Sequence, residues 1–600
     1  PRNGWPLQRG FDRYYGFLSG ATDQYYPELT YDNHPVYPPK TPEEGYHVTE
    51  DLVDRAIGFI SDQKSIYPNV PFFMYFAPGA MHFPHQVPKK YIEKYKGRFD
   101  VGWDVIRQQY FDRQLELGII PEGTKLPPRN PGVKAWEEFG ENEKKFMCRL
   151  QETWAGFLDH TDEHLGRLID YLASINQLDN TVIILTADNG TSQDGGPYGA
   201  ATMGPWINRS AMNNGETEGT YTGDPPVEED FANIDEILDD IGGPKSYADI
   251  PWGWSQVGNT PAIWYKHDTH GGGVRVPLIV QYPEGIKDKG GIRDQFHYVN
   301  DIAPTILDML GIEAKATYGG YTQMPISGTS LAYTYEGKDI PTQKPIQYFE
   351  MQGKRALWYE GWKAVTRHQV GDDYFSEQWE LYHLDEDFSE STNLAEREPE
   401  RLTKMIDLWW AEAGKYGVLP LYHRDAKRFD SSSRPGSYHE NGTYHFPTPI
   451  SHIPIAMSPR VGEGDWSLKS DIEILDASTE GVICAYGSYL NGFSFFVKDR
   501  TLHLAHNVLG TSAIISSDQL LPDGRLTASV SVTRLNSSES KVTFSINSDD
   551  AGIAEIPVHT NPSRVGGLDI GQDVLCPITD VYQAPFKFTG KVHSVDFIVE

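Results

Sequence analysis

Residues 181–190 read Thr-Val-Ile-Ile-Leu-Thr-Ala-Asp-Asn-Gly, a mostly β-branched apolar run that stops at an acid, an amide and a glycine. The run is too short for a helix and reads as a buried strand, so Asp188 and Asn189 fall just past its carboxyl end, where layered α/β folds bind ligands. Two hard oxygen donors at that place suit Ca²⁺ or Mg²⁺. Asp-Asn-Gly is also the composition of an ordinary turn, so the segment gains weight only from what surrounds it.

Working outward, Val48, Leu52, Val53, Ala56, Ile57 and Ile60 recur at helical spacing, and Tyr67-Pro-Asn-Val-Pro71 then leads into the apolar run Phe72–Ala77. A longer helical stripe runs from Asn142 to about Ala173, with Met147, Leu150, Trp154, Phe157, Leu158, Leu165, Leu168, Ile169 and Leu172 on its apolar face. Pro277–Tyr282 gives a third strand-like run and Ile302–Leu310 a helix behind it. This alternation predicts an α/β unit over residues 1–312, a mixed and mostly parallel sheet flanked by helices. Residues 313–425 change to short strands at Ile346–Met351, Arg355–Tyr359, Trp362–Arg367 and Trp379–Leu384, then a helix over Glu398–Ala413, which predicts a small antiparallel α+β subdomain. Gly353 and Gly361 stand where its hairpins must turn. Residues 426–460 hold the Ser-, Pro-, Gly- and His-rich stretch Phe429–Pro449 and read as a linker, and 461–600 carry only strand-like runs, a C-terminal β-sandwich. Between Ala211 and Pro244 there are ten acidic residues and no Lys or Arg, the mark of a solvated insertion.

Composition narrows the partners. The 600 residues carry 84 acidic against 52 basic side chains, a net charge of −32 that repels nucleic acid phosphates and anionic lipid. No apolar run approaches the roughly 20 residues needed to cross a bilayer, so a soluble chain without nucleic-acid or membrane partners is expected. Cys148, Cys484 and Cys576 are too few and too far apart for a disulfide framework or a cysteine zinc cluster. Asn-x-Ser/Thr triplets begin at Asn189, Asn208, Asn441 and Asn536, and carry meaning only in a secretory setting. The sequence opens at Pro1, without Met or a signal-like segment.

Two further segments point to the same sheet edge as Asp188. His82, in Pro78-Gly-Ala-Met-His-Phe-Pro-His-Gln-Val-Pro88, follows the run Phe72–Ala77 and could bind an anion or protonate a leaving oxygen. Lys266, in Trp264-Tyr-Lys-His-Asp-Thr-His-Gly-Gly-Gly-Val-Arg-Val-Pro277, precedes a glycine run that lets backbone approach an oxyanion closely. Each residue alone has a plain structural reading, a loop histidine bonded to backbone or a solvated lysine. Convergence of three strand ends is what argues for a site.

Together with Arg9-Gly-Phe-Asp-Arg-Tyr-Tyr-Gly-Phe17, these motifs resemble the sulfatase family, in particular the large bacterial-type arylsulfatases of the alkaline phosphatase superfamily, over roughly residues 1–425. The resemblance implies hydrolysis of a small-molecule or glycan sulfate ester by a formylglycine nucleophile with one Ca²⁺, Mg²⁺ or Mn²⁺ being less expected. It implies Asp188 and Asn189 as metal ligands, Asp188 also touching the nucleophile, and His82 and Lys266 as sulfate contacts that assist the leaving oxygen. It also implies a cytoplasmic or periplasmic bacterial location. The family's paired Asp ligands and its Cys/Ser-x-Pro-x-Arg nucleophile would precede Arg9, and none of the three cysteines has that setting. Thr560-Asn-Pro-Ser-Arg564 copies the spacing with Thr in the nucleophile's place, in the wrong part of the chain. Asp385-Glu-Asp-Phe-Ser-Glu390 imitates a calcium loop but has Glu390 where the turn glycine belongs, so no metal is expected there. The chain alone is therefore expected to be inactive, its formylglycine segment lying upstream or on another chain. Two other readings stand beside this one: a phosphoester or phosphonate hydrolase of the same superfamily, and a non-catalytic protein that binds sulfated glycans.

Overall fold

The computed structural model describes residues 2–201, 234–369, 372–421, 442–448, 450, 452–459, 461, 464–508, 511–536, 538–557 and 566–599. Most of the acidic insertion, most of the Ser/Pro-rich stretch, Asn208, Asn441 and Thr560–Arg564 lie outside them.

The first helix, Val48–Ile66, starts where His47 Nδ1 accepts the Thr49 N–H at 3.2 Å. Glu50 and Asp51 lie in its first turn and Lys64 in its last, matching the helix dipole. Val48, Leu52, Val53, Ala56 and Ile60 are buried. The 34-residue helix Glu141–Ser174 crosses it, begun by Glu143 reaching back to the Gly140 N–H at 2.6 Å. Gly156 sits where a Cβ would come within 2.9 Å of the Tyr91 carbonyl carbon, so only glycine lets the short helix Lys89–Glu93 lie against it. Toward its C-terminal half this helix departs from the apolar stripe of the sequence: Leu158 and Ile169 are exposed, while His160 and His164 are buried.

The expected mixed, mostly parallel sheet is not what forms. Ile183–Thr186 pairs antiparallel with Leu278–Gln281, a two-stranded sheet exposed at the Thr186–Leu278 end. Phe72–Ala77 joins no ladder and forms no strand, with Phe73 and Tyr75 65% and 76% exposed. Every pairing between named strands among the described residues is antiparallel, and the one parallel contact is the isolated bridge Val482–Lys587. Alternating element types and apolar runs report which segments want to be strands. They carry no information on which neighbour supplies the hydrogen bonds or in which direction it runs.

Farther along, Ile346–Met351, Lys354–Tyr359, Trp362–Thr366 and Glu380–His383 form an antiparallel meander. Its two tight turns put Gln352-Gly353 and Glu360-Gly361 at positive φ (54°, 87°, 50° and 79°), the mirror-image turn that right-twisted hairpins require. Helix Pro399–Lys415 covers one face through Met405, Trp409 and Ala413, and Trp409 Nε1 donates to the Phe349 carbonyl at 3.0 Å.

The C-terminal region has two six-stranded antiparallel sheets. Trp466–Ile474 alternates buried and less buried positions, placing Trp466, Leu468, Ile472 and Ile474 inward against Phe495, Phe544 and Phe597. Gly481–Ser488 is buried on both faces, because Ile578 and Tyr582 pack on its outer side around Val482 and Ala485. This region also touches the start of the chain. Tyr489 donates its hydroxyl to Asp23 Oδ2 at 3.1 Å, and His452 lies between Asp569 (3.0 Å) and Glu28 (3.5 Å). Among the described residues no helix is long and apolar enough to cross a membrane.

Candidate active site

The loop after Ile183–Thr186 and the segment 263–274 are pressed together by glycines. A Cβ on Gly190 would stand 1.7 Å from the Gly272 carbonyl oxygen, and one on Gly272 would stand 2.1 Å from that of Trp264. With the side chains gone, Gly190 N–H bonds the Gly273 carbonyl and Lys266 N–H bonds that of Thr191, both at 3.1 Å. Asn259 completes the junction: its Oδ1 accepts the Thr191 N–H at 2.8 Å and its Nδ2 donates to the Trp264 carbonyl at 3.1 Å. Trp264 and His267 take left-handed φ values of 66° and 68° on either side of Lys266, so this backbone is bent to present one side chain.

That side chain meets His82. Lys266 Nζ lies 3.3 Å from His82 Nε2, while His82 Nδ1 lies 2.8 Å from the Phe83 carbonyl. The carbonyl assigns the ring proton to Nδ1, which leaves Nε2 to accept from the ammonium. Burial, and then the Lys266 charge, hold His82 below the usual imidazole range, while Asp194 and Asp188 pull the other way. Lys266 and His82 are therefore in direct contact, and Asp188 acts on His82 electrostatically, although the run before His82 is no strand. Asp188 itself is exposed and makes no hydrogen bond to another described residue; Asn189 donates Nδ2 to the Gly190 carbonyl at 2.9 Å, which leaves its Oδ1 as a possible donor to a cation. These are two of the six to eight oxygens Ca²⁺ takes.

Sequence reading missed several members of this neighbourhood. Asp194 is 4.0 Å from Lys266 Nζ and 3.9 Å from His267 Nε2, held by the Ser192 hydroxyl at 2.9 Å. His270 is sandwiched between Asp268 (2.7 Å) and Glu380 (2.8 Å); burial opposes its charge, but Asp268 and Glu380 outweigh burial and raise it to about 9. Glu390, dismissed as a calcium ligand, is buried beside Lys363 at 2.6 Å and accepts the Gly271 N–H at 2.9 Å, which fixes the start of the glycine run. Its own loop oxygens are already used, since Asp387 accepts the N–H groups of Ser391 and Thr392. The only signal in the sequence was an acidic residue in a turn that ought to hold glycine.

A separate group, Glu50, His160 and His164, has ligand atoms all within 4.8 Å of one another and can hold a divalent metal. Its members lie on the first and the long helix, and none was singled out from the sequence.

The Sulfatase family model matches residues 1–312, and that for the C-terminal part of N-sulphoglucosamine sulphohydrolase matches 263–408. An uncharacterized sulfatase of Schizosaccharomyces pombe is 30% identical over 430 residues, covering 69% of this chain and 72% of its own. An arylsulfatase of Klebsiella aerogenes is 24% identical over 336 residues, covering 54% and 66%. An N-acetylglucosamine-6-O-sulfatase of Bacteroides thetaiotaomicron is 31% identical over 449 residues, covering 64% of each. A protein solved with its substrate D-glucosamine-2-N,6-O-disulfate shares 17% identity over 68% of this chain and 77% of its own, with a TM-score of 0.40. With the Sulfatase model matched over more than half its length, the chain belongs to the sulfatase family of the alkaline phosphatase superfamily, hydrolases of sulfate esters.

Proposed function

We propose that His82 and Lys266 grip the sulfate group of a small-molecule or glycan sulfate ester, and that Asp188 and Asn189 would contribute oxygens to a bound Ca²⁺. The observation that carries this is the 3.3 Å contact between Lys266 Nζ and His82 Nε2, where the loop before Leu278–Gln281 meets the His82 segment. An ammonium and an imidazole held that close can each engage a different oxygen of one tetrahedral anion. His82 keeps one proton on Nδ1, locked to the Phe83 carbonyl, and takes a second on Nε2 from solvent or Lys266 when the charge of a bound sulfate ester offsets the burial and the Lys266 charge that hold it neutral. That is the behaviour wanted of a group that hands a proton to a departing alkoxide or phenoxide. When bound, Ca²⁺ would neutralise charge on the transferring group. The exposed carboxylate of Asp188 and the open Oδ1 of Asn189 fit such an ion as part of its shell.

The nucleophile in this reading is a formylglycine supplied from outside residues 1–600, on the same or another chain. All three cysteines are buried, and burial pushes each thiol up, away from reactivity. We place the domain limits at 1–312, 313–425 and 461–600, with 426–460 between the last two, and the protein in the cytoplasm or periplasm. The test has two parts. Inorganic sulfate binding to the chain, measured by titration calorimetry, should weaken at least about tenfold in Lys266→Ala and in His82→Ala. Turnover of aryl and sugar sulfates by the full gene product should exceed that of the matching phosphates. Unchanged sulfate affinity in both variants overturns the site, and faster phosphate turnover overturns the substrate class.

A further inference from the structure

We propose that Glu50, His160 and His164 form a binding site for one zinc-class divalent ion that clamps the first helix to the long one, independent of the sulfate site. His160 and His164 are four residues apart on Glu141–Ser174, so they project from one face of the helix, and Glu50 faces them from the first turn of Val48–Ile66. A single carboxylate oxygen, Glu50 Oε1, lies 3.2 Å from His160 Nε2 and 3.5 Å from His164 Nε2. Ligands at 2.0–2.1 Å around a tetrahedral Zn²⁺ stand about 3.3 Å apart. The two edges therefore already have the length that the ion would impose.

The donors choose the metal. Two imidazoles and one carboxylate suit Zn²⁺ or Co²⁺, whereas Ca²⁺ and Mg²⁺ want an all-oxygen shell. His164 Nε2 is buried 3.5 Å from Glu50 Oε1 and makes no hydrogen bond among the described residues, so this polar atom has no partner of its own. His47 stacks edge-on to His160 but is no ligand, because Nε2 is bonded to the Gln86 carbonyl at 3.0 Å and Nδ1 to the Thr49 N–H. Glu50 is 37% exposed, so the fourth position opens toward water.

One contact must give way. Arg167 Nη1 donates to His164 Nδ1 at 2.9 Å, which keeps the His164 proton on Nε2. Coordination through Nε2 moves that proton to Nδ1, and the guanidinium, 41% exposed and also paired with Asp54, turns aside. Arg167 is thus a competitor of the metal rather than its support.

The experiment uses the whole chain after chelator treatment. Zn²⁺ is titrated against a chromophoric chelator, and Co²⁺ is added separately and read by its visible absorption. The proposal expects one equivalent of Zn²⁺ taken up without competition from excess Ca²⁺, and an intense tetrahedral Co²⁺ spectrum. Glu50→Gln, at the half-exposed edge of the cluster, and His164→Gln, within it, should each weaken Zn²⁺ at least about tenfold, and Arg167→Ala should tighten it. A weak octahedral Co²⁺ spectrum, absence of saturable Zn²⁺ uptake, or equal affinity in the wild type and both ligand variants would overturn it. The Co²⁺ spectrum needs no variant and stands even if a substitution fails to fold.

Discussion

Gly190→Ala is the sharpest test of how the two strand-end loops are joined. The new methyl would sit 1.7 Å from the Gly272 carbonyl oxygen and must retreat by about 1.7 Å to reach ordinary contact at 3.4 Å. Neither partner is a flexible side chain, so backbone moves. The movement breaks the Gly190–Gly273 hydrogen bond and strains the Lys266–Thr191 bond beside it. Two backbone bonds at about 1 kcal/mol each, with about 1–3 kcal/mol of overpacking, give roughly 3–5 kcal/mol of lost stability. The same shift separates Asp188 and Asn189 from Lys266, and a misplacement of about 1 Å is enough to cost about a hundredfold in a positioned site. Urea unfolding gives the first quantity, sulfate-ester turnover by the full gene product gives the second, and sulfate titration shows whether Lys266 has moved as well. Gly166→Ala is the matched control: it lies within the long helix with nothing within 4 Å of its added methyl, and should gain about 0.5–1 kcal/mol. If Gly190→Ala unfolds within about 0.5 kcal/mol of wild type and binds sulfate normally, the close approach of these loops is not what positions the site.

Two more predictions concern buried charge. His270 and His452 are both raised to about 9 from 6.5; in each, burial opposes the shift and is outweighed, by Asp268 and Glu380 for His270 and by Asp569 and Glu28 for His452. Their contribution is therefore complete below pH 6.5 and lost as pH rises through 9, on the order of 3 kcal/mol each. Melting temperature followed across that window should fall, and His452→Gln should flatten the slope by about half; a slope left intact by the substitution refutes the assignment. Lys363→Met strands the Glu390 carboxylate and should cost about 3–5 kcal/mol, whereas Lys363→Met with Glu390→Leu should recover most of it, less the unpaired Gly271 N–H, as chemical unfolding of both variants would show.

Local signals were legible in the sequence, and long-range ones were not. The stripe from Val48 to Ile60 and the apolar spacing in the long helix announce helices because one face must be buried every 3.6 residues. Gly353 and Gly361 announce hairpins because the turns need positive φ. The sandwich strands show through their alternation. Strand direction did not show, because Phe72–Ala77 and Ile183–Thr186 read alike although only the second has a ladder. At the site, the neighbourhood of Lys266 and His82 was legible from two motifs expected at one sheet edge, although the run before His82 forms no strand. Asp194, Asn259 and Glu390 were not, since a carboxylate or amide that serves a loop 68 or 119 residues away leaves no local pattern. His160 and His164 were hidden for another reason: polar residues on a helix are read as its wet face until a partner helix is found lying on them.

The hydrogen bond between Asp23 and Tyr489 ties residues 466 positions apart. During synthesis at about 5–20 residues per second, Asp23 leaves the ribosome between roughly 25 and 90 seconds before its partner exists. Throughout that interval the pocket that gathers Asp23 and Gln86 stays open on one side, and the Glu28 carboxylate has neither His452 nor the strands behind it. The segment around Asp23 and Glu28 is thus made long before it can settle, and its nascent form depends on whatever shields those two carboxylates until His452 and Tyr489 emerge.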